Sequence, residues 1–189
     1  MPMFSIITAT LQRDSLFRCC QSIETQLDLW QHIVVVDGGP LNSDLLNSIQ
    51  HPDRQIVCLG KRCGNFGNTP RGIGWRLATG DYCIYLDDDN FFQRSDALTD
   101  IYRALDQARP DWAVFPILRH GRIFFSEDPR CCHVDTANMV IKREIAEWPN
   151  RDEYTLDGIF CDALKERYSY IAFPEIAPII NVPTSGMGV

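Results

Sequence analysis

The sequence predicts an α/β fold: a mostly parallel central sheet flanked by helices, followed by a smaller, irregular second half. Three observations carry this. From Phe4 to Leu86, short β-prone apolar runs alternate with stretches of helical spacing, the order that right-handed crossovers and parallel pairing require. The apolar runs are continuous, as in strands covered on both faces. Finally, Tyr82-Cys83-Ile84-Tyr85-Leu86 runs straight into Asp87-Asp88-Asp89-Asn90, at the carboxyl end of a strand, where open α/β sheets bind their ligands.

The elements follow in order. Phe4 to Thr8 reads as a strand entering the polar turn Thr8-Ala9-Thr10-Leu11-Gln12-Arg13. Asp14 or Ser15 caps a helix whose Leu16, Phe17, Cys20, Ile23 and Leu27 keep helical spacing. Trp30 to Val36 is a buried strand ending at Asp37-Gly38-Gly39-Pro40. Ser43 opens a short helix that His51-Pro52 stops, and Gln55 to Leu59 is the next strand. After the glycine- and asparagine-rich stretch from Gly60 to Asn68, Thr69-Pro70 starts a helix carrying Ile73, Trp75 and Leu77, which Thr79-Gly80 ends. The strand of Tyr82 to Leu86 comes next.

In the second half, Ser95 caps a helix through Leu98, Ile101 and Leu105, ended near Pro110. Trp112 to Leu118 and Arg122 to Phe125 read as strands joined by the hairpin signal Arg119-His120-Gly121. His133 to Ile141 reads as a strand leading into a short helix, and Asp157 to Tyr168 as a helix. Tyr170 to Phe173 and Ala177 to Val182 read as closing strands. There is no repeat and no linker, so residues 1–189 are expected to form one domain, with residues 1–92 on the nucleotide side and 93–189 on the acceptor side.

Composition narrows the class. A net charge of −7 argues against general affinity for nucleic acid or anionic lipid. No stretch approaches the ~20 apolar residues of a membrane span, and no basic-then-apolar leader opens the chain. The expectation is a cytoplasmic protein. The eight cysteines lack the spacing of a zinc site, and reduced, buried thiols are the reading that fits.

The acidic cluster carries the chemistry. In an extended backbone Asp87 and Asp89 share one face while Asp88 points away. Two converging carboxylates repel, and a divalent cation with a preference for hard oxygen ligands, Mg²⁺ or Mn²⁺, turns that repulsion into attraction. Parallel strands bring Thr8-Ala9-Thr10, Asp37-Gly38-Gly39 and Asp87-Asp88-Asp89 to one edge, where Arg71, near a helix start, can meet a phosphate. Asp37 beside its glycines can accept from a ribose or base.

At this point the sequence resembles the family-two glycosyltransferases, whose fold is the GT-A type. The resemblance rests on Ser5-Ile6-Ile7-Thr8-Ala9-Thr10, Val34-Val35-Val36-Asp37-Gly38-Gly39, Gly64-Asn65-Phe66-Gly67, Pro70-Arg71-Gly72, Ala78-Thr79-Gly80-Asp81 and the Asp87/Asp89 pair. Ala9 stands where the family usually has proline, and Leu11-Gln12 where it has an aromatic-Asn pair. The resemblance implies a nucleotide-sugar donor, usually a uridine diphosphate sugar, held by Thr8, Ala9, Thr10, Asp37, Arg71, Asp87 and Asp88. It also implies a metal at Asp87 and Asp89, and inversion at the anomeric carbon.

The family's general base usually lies in a Glu-Asp pair opening a late helix. Leu156-Asp157-Gly158-Ile159-Phe160 resembles that segment, with Leu156 in place of the Glu, and makes Asp157 the candidate base. Asp162 is the alternative, turned about 500° round a helix of ~3.6 residues per turn. As a plain helix-start acid, Asp157 would instead interact with the dipole. The late histidine of many relatives is missing, and His133 is a substitute ligand. Asp135 and Asn138 are candidates for contact with sugar or acceptor. The alternative to a transferase is a non-catalytic nucleotide-sugar-binding module of the same fold.

Overall fold

The computed structural model describes residues 3–27, 30–175 and 179–181. Its main sheet is built outwards from β1 (Phe4–Thr10), which pairs in parallel with β2 (Trp30–Val36) over its whole length, Phe4 opposite Trp30 and Thr10 opposite Val36. On its other side β1 pairs in parallel with β4 (Tyr82–Tyr85), and β2 pairs in parallel with β3 (Arg54–Cys58). The crossovers are α1 (Ser15–Glu24), α2 (Ser43–Ser48) and α3 (Asn68–Leu77). The continuous apolar runs are buried on both faces, as their composition requires.

The second half extends this sheet. Beyond a short strand β5 (Asn90–Phe92) and α4 (Ala97–Ala108) lie β6 (Trp112–Val114), β7 (Ile117–Arg119) and β8 (Arg122–Phe124). Then come β9 (Met139–Lys142), α5 (Leu156–Arg167), β10 (Tyr170–Ala172) and β11 (Ile179–Asn181). Among the described residues the main sheet has seven strands in the order β10-β6-β9-β4-β1-β2-β3, with β9 antiparallel to both neighbours. A second sheet runs β5-β11-β7-β8. Phe4, Ile6 and Ile84 pack against Cys19, Ile23, Leu98 and Ile101 of α1 and α4. From the opposite face Ile7, Ile33 and Tyr85 meet Trp148, Leu156, Phe160 and Leu164 around α5. No helix among the described residues is long and apolar enough to cross a membrane.

Four local expectations are corrected. β1 runs two residues past Thr8, because its ladder with β2 continues to Thr10. The single strand expected from Trp112 to Leu118 is two strands in different sheets. The Phe115 N–H still bonds the Asn138 carbonyl at 2.8 Å, but Pro116 has no donor to continue the ladder, and the chain changes sheet there. The strand expected from His133 begins only at Met139. Asp135 accepts from the Ala137 N–H and Asn138 accepts from the Asp135 N–H, so this stretch closes into a capped 3₁₀ turn, Thr136–Asn138. Finally, β4 ends at Tyr85 and the acids occupy a turn closed by the Asn90 N–H on the Asp87 carbonyl, 2.9 Å, rather than an extended strand. Ile179–Asn181 lies within the last expected strand; Ala177, Pro178 and Val182 lie outside the described residues.

Candidate active site

The carboxyl ends of β1, β2 and β4 meet the start of α3 and, from the second half, the start of α5. At the end of β2, Asp37 is buried and its carboxylate accepts from the Cys63 N–H at 2.8 Å and the Gly64 N–H at 3.4 Å. The loop can pass this closely because of Gly38: at φ +69° a Cβ there would lie 2.1 Å from the Arg62 nitrogen. Asp37 is thus held by the loop that leads to α3.

Arg71, in the first turn of α3, is the hinge of the site. Its guanidinium donates to the Phe66 carbonyl at 2.8 Å and to Asp87 at 2.5 Å, and it lies 5.2 Å over the Trp148 ring. The other Asp87 oxygen accepts from Thr136 at 3.3 Å. Asp88 turns the opposite way: fully buried, it pairs with Arg13 and accepts from the Thr10 hydroxyl at 2.6 Å. Arg13 also reaches Asp89 at 3.4 Å. Burial, followed by the negative charge of Asp87, pushes the Asp89 carboxyl up to about 6. Burial likewise raises Asp88, with Arg13 opposing.

Asp157, second residue of α5, accepts from the Gly158 N–H at 2.8 Å. Burial raises its carboxyl, and its surroundings act on it through Arg71, which lowers it, and Asp87, which raises it. Gly158 lets the helix start sit against the Cys131 backbone, since a Cβ there would be 2.6 Å from the Cys131 Cα. Asp135 belongs to the same electrostatic neighbourhood: burial raises its carboxyl first, then the charges of Asp87 and Asp157, while Arg119 at 3.8 Å opposes.

Arg71, Asp87, Asp89, Asp135 and Asp157 therefore converge, with Asp37 held apart by the loop before α3, and other sequence candidates do not join them. Thr8 is inside β1, buried, with its hydroxyl 3.0 Å from His32 Nε2, on the core side of the sheet. Ala9 approaches the Gly67 backbone, but the Thr10 hydroxyl is taken up by Asp88 and the Gln12 N–H, so the side chain faces inward. His133 is exposed in a loop, its ring accepting from Arg130 at 3.2 Å. Asn138 is fully buried, its amide donating to the Phe115 and Phe124 carbonyls and accepting from Asp135. The alternative base Asp162 accepts from the Cys131 N–H instead. All eight thiols are free, and of these Cys19, Cys20, Cys83 and Cys161 are buried while Cys58, Cys63 and Cys132 are exposed. Sequence reasoning missed Arg13 and Thr136; the former was legible only as a lone cation in the turn after β1. A separate cavity of about 320 Å³, lined by Tyr82, Tyr102, Lys142 and Arg143, opens at the opposite edge of β4.

The acids fit a hard divalent cation. Asp87 and Asp89 present oxygen donors; burial first and then the charge of Asp87 displace Asp89 upward, and a cation would relieve the charge part. Among the described residues no cluster of three or more His, Cys, Asp or Glu side chains completes a metal site, so donor phosphates and water would supply the remaining ligands.

Comparison with known proteins identifies the fold. The S. aureus TarS 1–349 fragment superposes with a TM-score of 0.77 at 15% identity, covering 96% of this chain and 60% of that one. The same fragment in complex with UDP-GlcNAc gives 0.80 at 13% identity, covering 98% and 60%. The mannosyltransferase PcManGT from Pyrobaculum calidifontis, in complex with GDP-Man and Mn²⁺, gives 0.70 at 18% identity, covering 98% and 58%. The chain thus spans less than two thirds of these proteins, and the likeness is one of fold, the GT-A type. No curated protein matches the sequence. The family described as glycosyl transferase family 2 matches residues 5–161, most of the chain, and the chain belongs to that family.

Proposed function

We propose that this protein transfers a sugar from a uridine diphosphate donor to an acceptor hydroxyl, with inversion at the anomeric carbon and Asp157 as general base. One observation carries the reading: Arg71 bonds Asp87 at the acidic turn while its charge also acts on Asp157 at the start of α5. Donor-side and acceptor-side groups are thereby joined through a single cation. In this reading residues 1–92 bind the nucleotide sugar and residues 93–189 shape the acceptor side.

The residues have distinct tasks. Asp37 accepts from the nucleoside, exchanging its Cys63 and Gly64 partners for the base or ribose. Arg71 reaches the diphosphate, a role its fixed guanidinium fork suits. Asp87 and Asp89 hold Mg²⁺ or Mn²⁺, which when bound offsets negative charge on the leaving nucleotide. Asp88 acts indirectly, fixing Arg13 and the turn rather than touching the donor. Asp157 takes the proton from the acceptor oxygen as that oxygen attacks the face of the sugar opposite the diphosphate. Its raised affinity for protons makes it a stronger base than an exposed carboxylate.

Asp157→Asn tests the assignment. Calorimetry should return a donor affinity close to wild type, while transfer falls by ~10²–10⁴-fold, the usual scale for a general base. An acid that only caps α5 gives the reverse: a slightly less stable protein with normal turnover. A wild-type protein that binds donor and transfers to no hydroxyl acceptor would instead be a binding module.

A further inference from the structure

Beside Asp157 stands a surface feature that the donor chemistry does not use. Phe66 and Tyr154 are both exposed, 55% and 66%, and their rings meet edge to face at 5.3 Å. They come from different halves of the chain. Phe66 lies in the loop before α3, and its carbonyl accepts from Arg71. Tyr154 lies three residues before Asp157.

Two further observations set this pair apart from scattered surface aromatics. Phe66 has φ +57°, the left-handed region that a bulky side chain rarely adopts, although glycines stand nearby at Gly64 and Gly67. The chain thus holds a large apolar ring out in solvent at a conformational cost. The pair is also held rigid from below. Asn68 donates to the Arg151 and Glu153 carbonyls at 2.9 and 3.0 Å and accepts from the Trp148 indole at 3.1 Å. Thr69 donates to Asn150 at 2.7 Å, and Asn65 donates to Thr69 at 2.7 Å. These bonds tie the end of the Phe66 loop to the loop of Tyr154, which keeps the two ring-bearing segments side by side.

We propose that Phe66 and Tyr154 form the acceptor subsite and that the acceptor is a saccharide, an assignment that rests on the reading of Asp157 as the base. A pyranose has an apolar C–H face that packs on aromatic rings and a rim of hydroxyls that planar amides bind. Both kinds of group are present: exposed rings, and the Asn65 amide, next to Phe66 in the chain and bonded to Asn150 and the Thr69 hydroxyl. A lipid chain would call for a long apolar groove, whereas the residues flanking the rings, Asn65, Asn150, Arg151, Asp152 and Glu153, are polar or charged. The rings are tied to Asp157 through Arg71, which bonds the Phe66 carbonyl and whose charge acts on Asp157.

The test separates binding from chemistry. Saturation-transfer NMR on the full chain would use the methyl glycopyranosides of glucose, galactose, mannose and N-acetylglucosamine, with octanol as an apolar probe lacking a sugar ring. At least one glycoside should receive saturation from the wild type, and Phe66→Ala or Tyr154→Ala should weaken its binding ~5–10-fold. Tyr154→Phe, which keeps the ring, should restore it. Melting temperatures should stay close to wild type in all three, since both side chains are exposed. Absence of signal from every glycoside, equal signal in the alanine variants, or stronger binding of octanol would overturn the proposal. Asp157→Asn should bind the glycoside yet fail to transfer; if it transfers normally, the base assignment falls while the subsite stands on its own data.

Discussion

Asp88 and Asp89 are adjacent, and their environments assign them opposite tasks. Asp88 is fully buried on Arg13 and Thr10, so Asp88→Asn should cost about 1–3 kcal/mol, the range for weakening a buried charged hydrogen bond. Asp89 is displaced upward by burial and by its acidic neighbours, so Asp89→Asn should leave the metal-free protein at least as stable. The expected result of thermal melts is a lower baseline for Asp88→Asn with its Mn²⁺- and UDP-dependent rise retained. Asp89→Asn should keep the baseline and lose that rise. Equal loss of the rise in both would show that Asp88 is not the inward residue of the turn. The three acids and Asp157 were legible because strand ends and helix starts can be read from pattern. Side-chain direction was not legible. Thr8 faces His32 and Asn138 faces backbone carbonyls, because the two strands and the 3₁₀ turn are registered by partners distant in sequence.

Among the elements, the strands and helices up to Tyr85 were legible because each is long enough to show its period, and parallel pairing leaves them continuously apolar. After Tyr85 most strands are three residues long, too short for any period, and Pro116 and the Asp135–Asn138 turn redirect the chain by local hydrogen bonding. The junction between the loop before α3 and the loop before α5 escaped notice altogether, since it depends on Asn68 contacting residues more than eighty positions on. Asn68→Asp tests its weight. The substitution turns a donor facing two carbonyls into an acceptor, which should cost about 2–3 kcal/mol in this buried site. That corresponds to a melting temperature lower by about 4–12 °C for a chain of this size. Asn150→Ala, on the exposed side of the same junction, should cost under about 1 kcal/mol. If Asn68→Asp melts like the wild type, the two loops are not held by this amide.

Across the whole molecule, acidification should act on two opposed sets of buried groups. His32 is fully buried, with Nδ1 accepting from the Arg54 Nε–H at 2.8 Å and Nε2 on Thr8, while Arg54 also serves Glu24 and the Cys20 carbonyl. Burial, then the charge of Arg54 and the nearby His51, keeps the ring neutral well below its ordinary range. The unfolded ring takes a proton below pH ~6.5. Between that point and its depressed native value the unfolded state binds more protons, so stability falls as pH falls. The carboxyls of Asp88, Asp89, Asp135 and Asp157 act in the other sense. They are raised in the native state, so the folded protein takes up protons first, and stability rises as pH drops from about 6, the value for Asp89, toward the unfolded carboxylate range. Single variants should uncover each set. Urea unfolding in chelator at pH 6.5, 5.5 and 4.5 should give His32→Gln a slope displaced toward acid stability by up to about 1.4 kcal/mol per pH unit. Asp89→Asn should displace it by a comparable amount toward acid sensitivity, and the double variant should return toward the wild-type slope. The comparison uses slopes, so a general loss of stability in either variant does not disturb it. An unchanged slope in His32→Gln would mean that His32 takes its proton in the native protein as readily as in the unfolded chain.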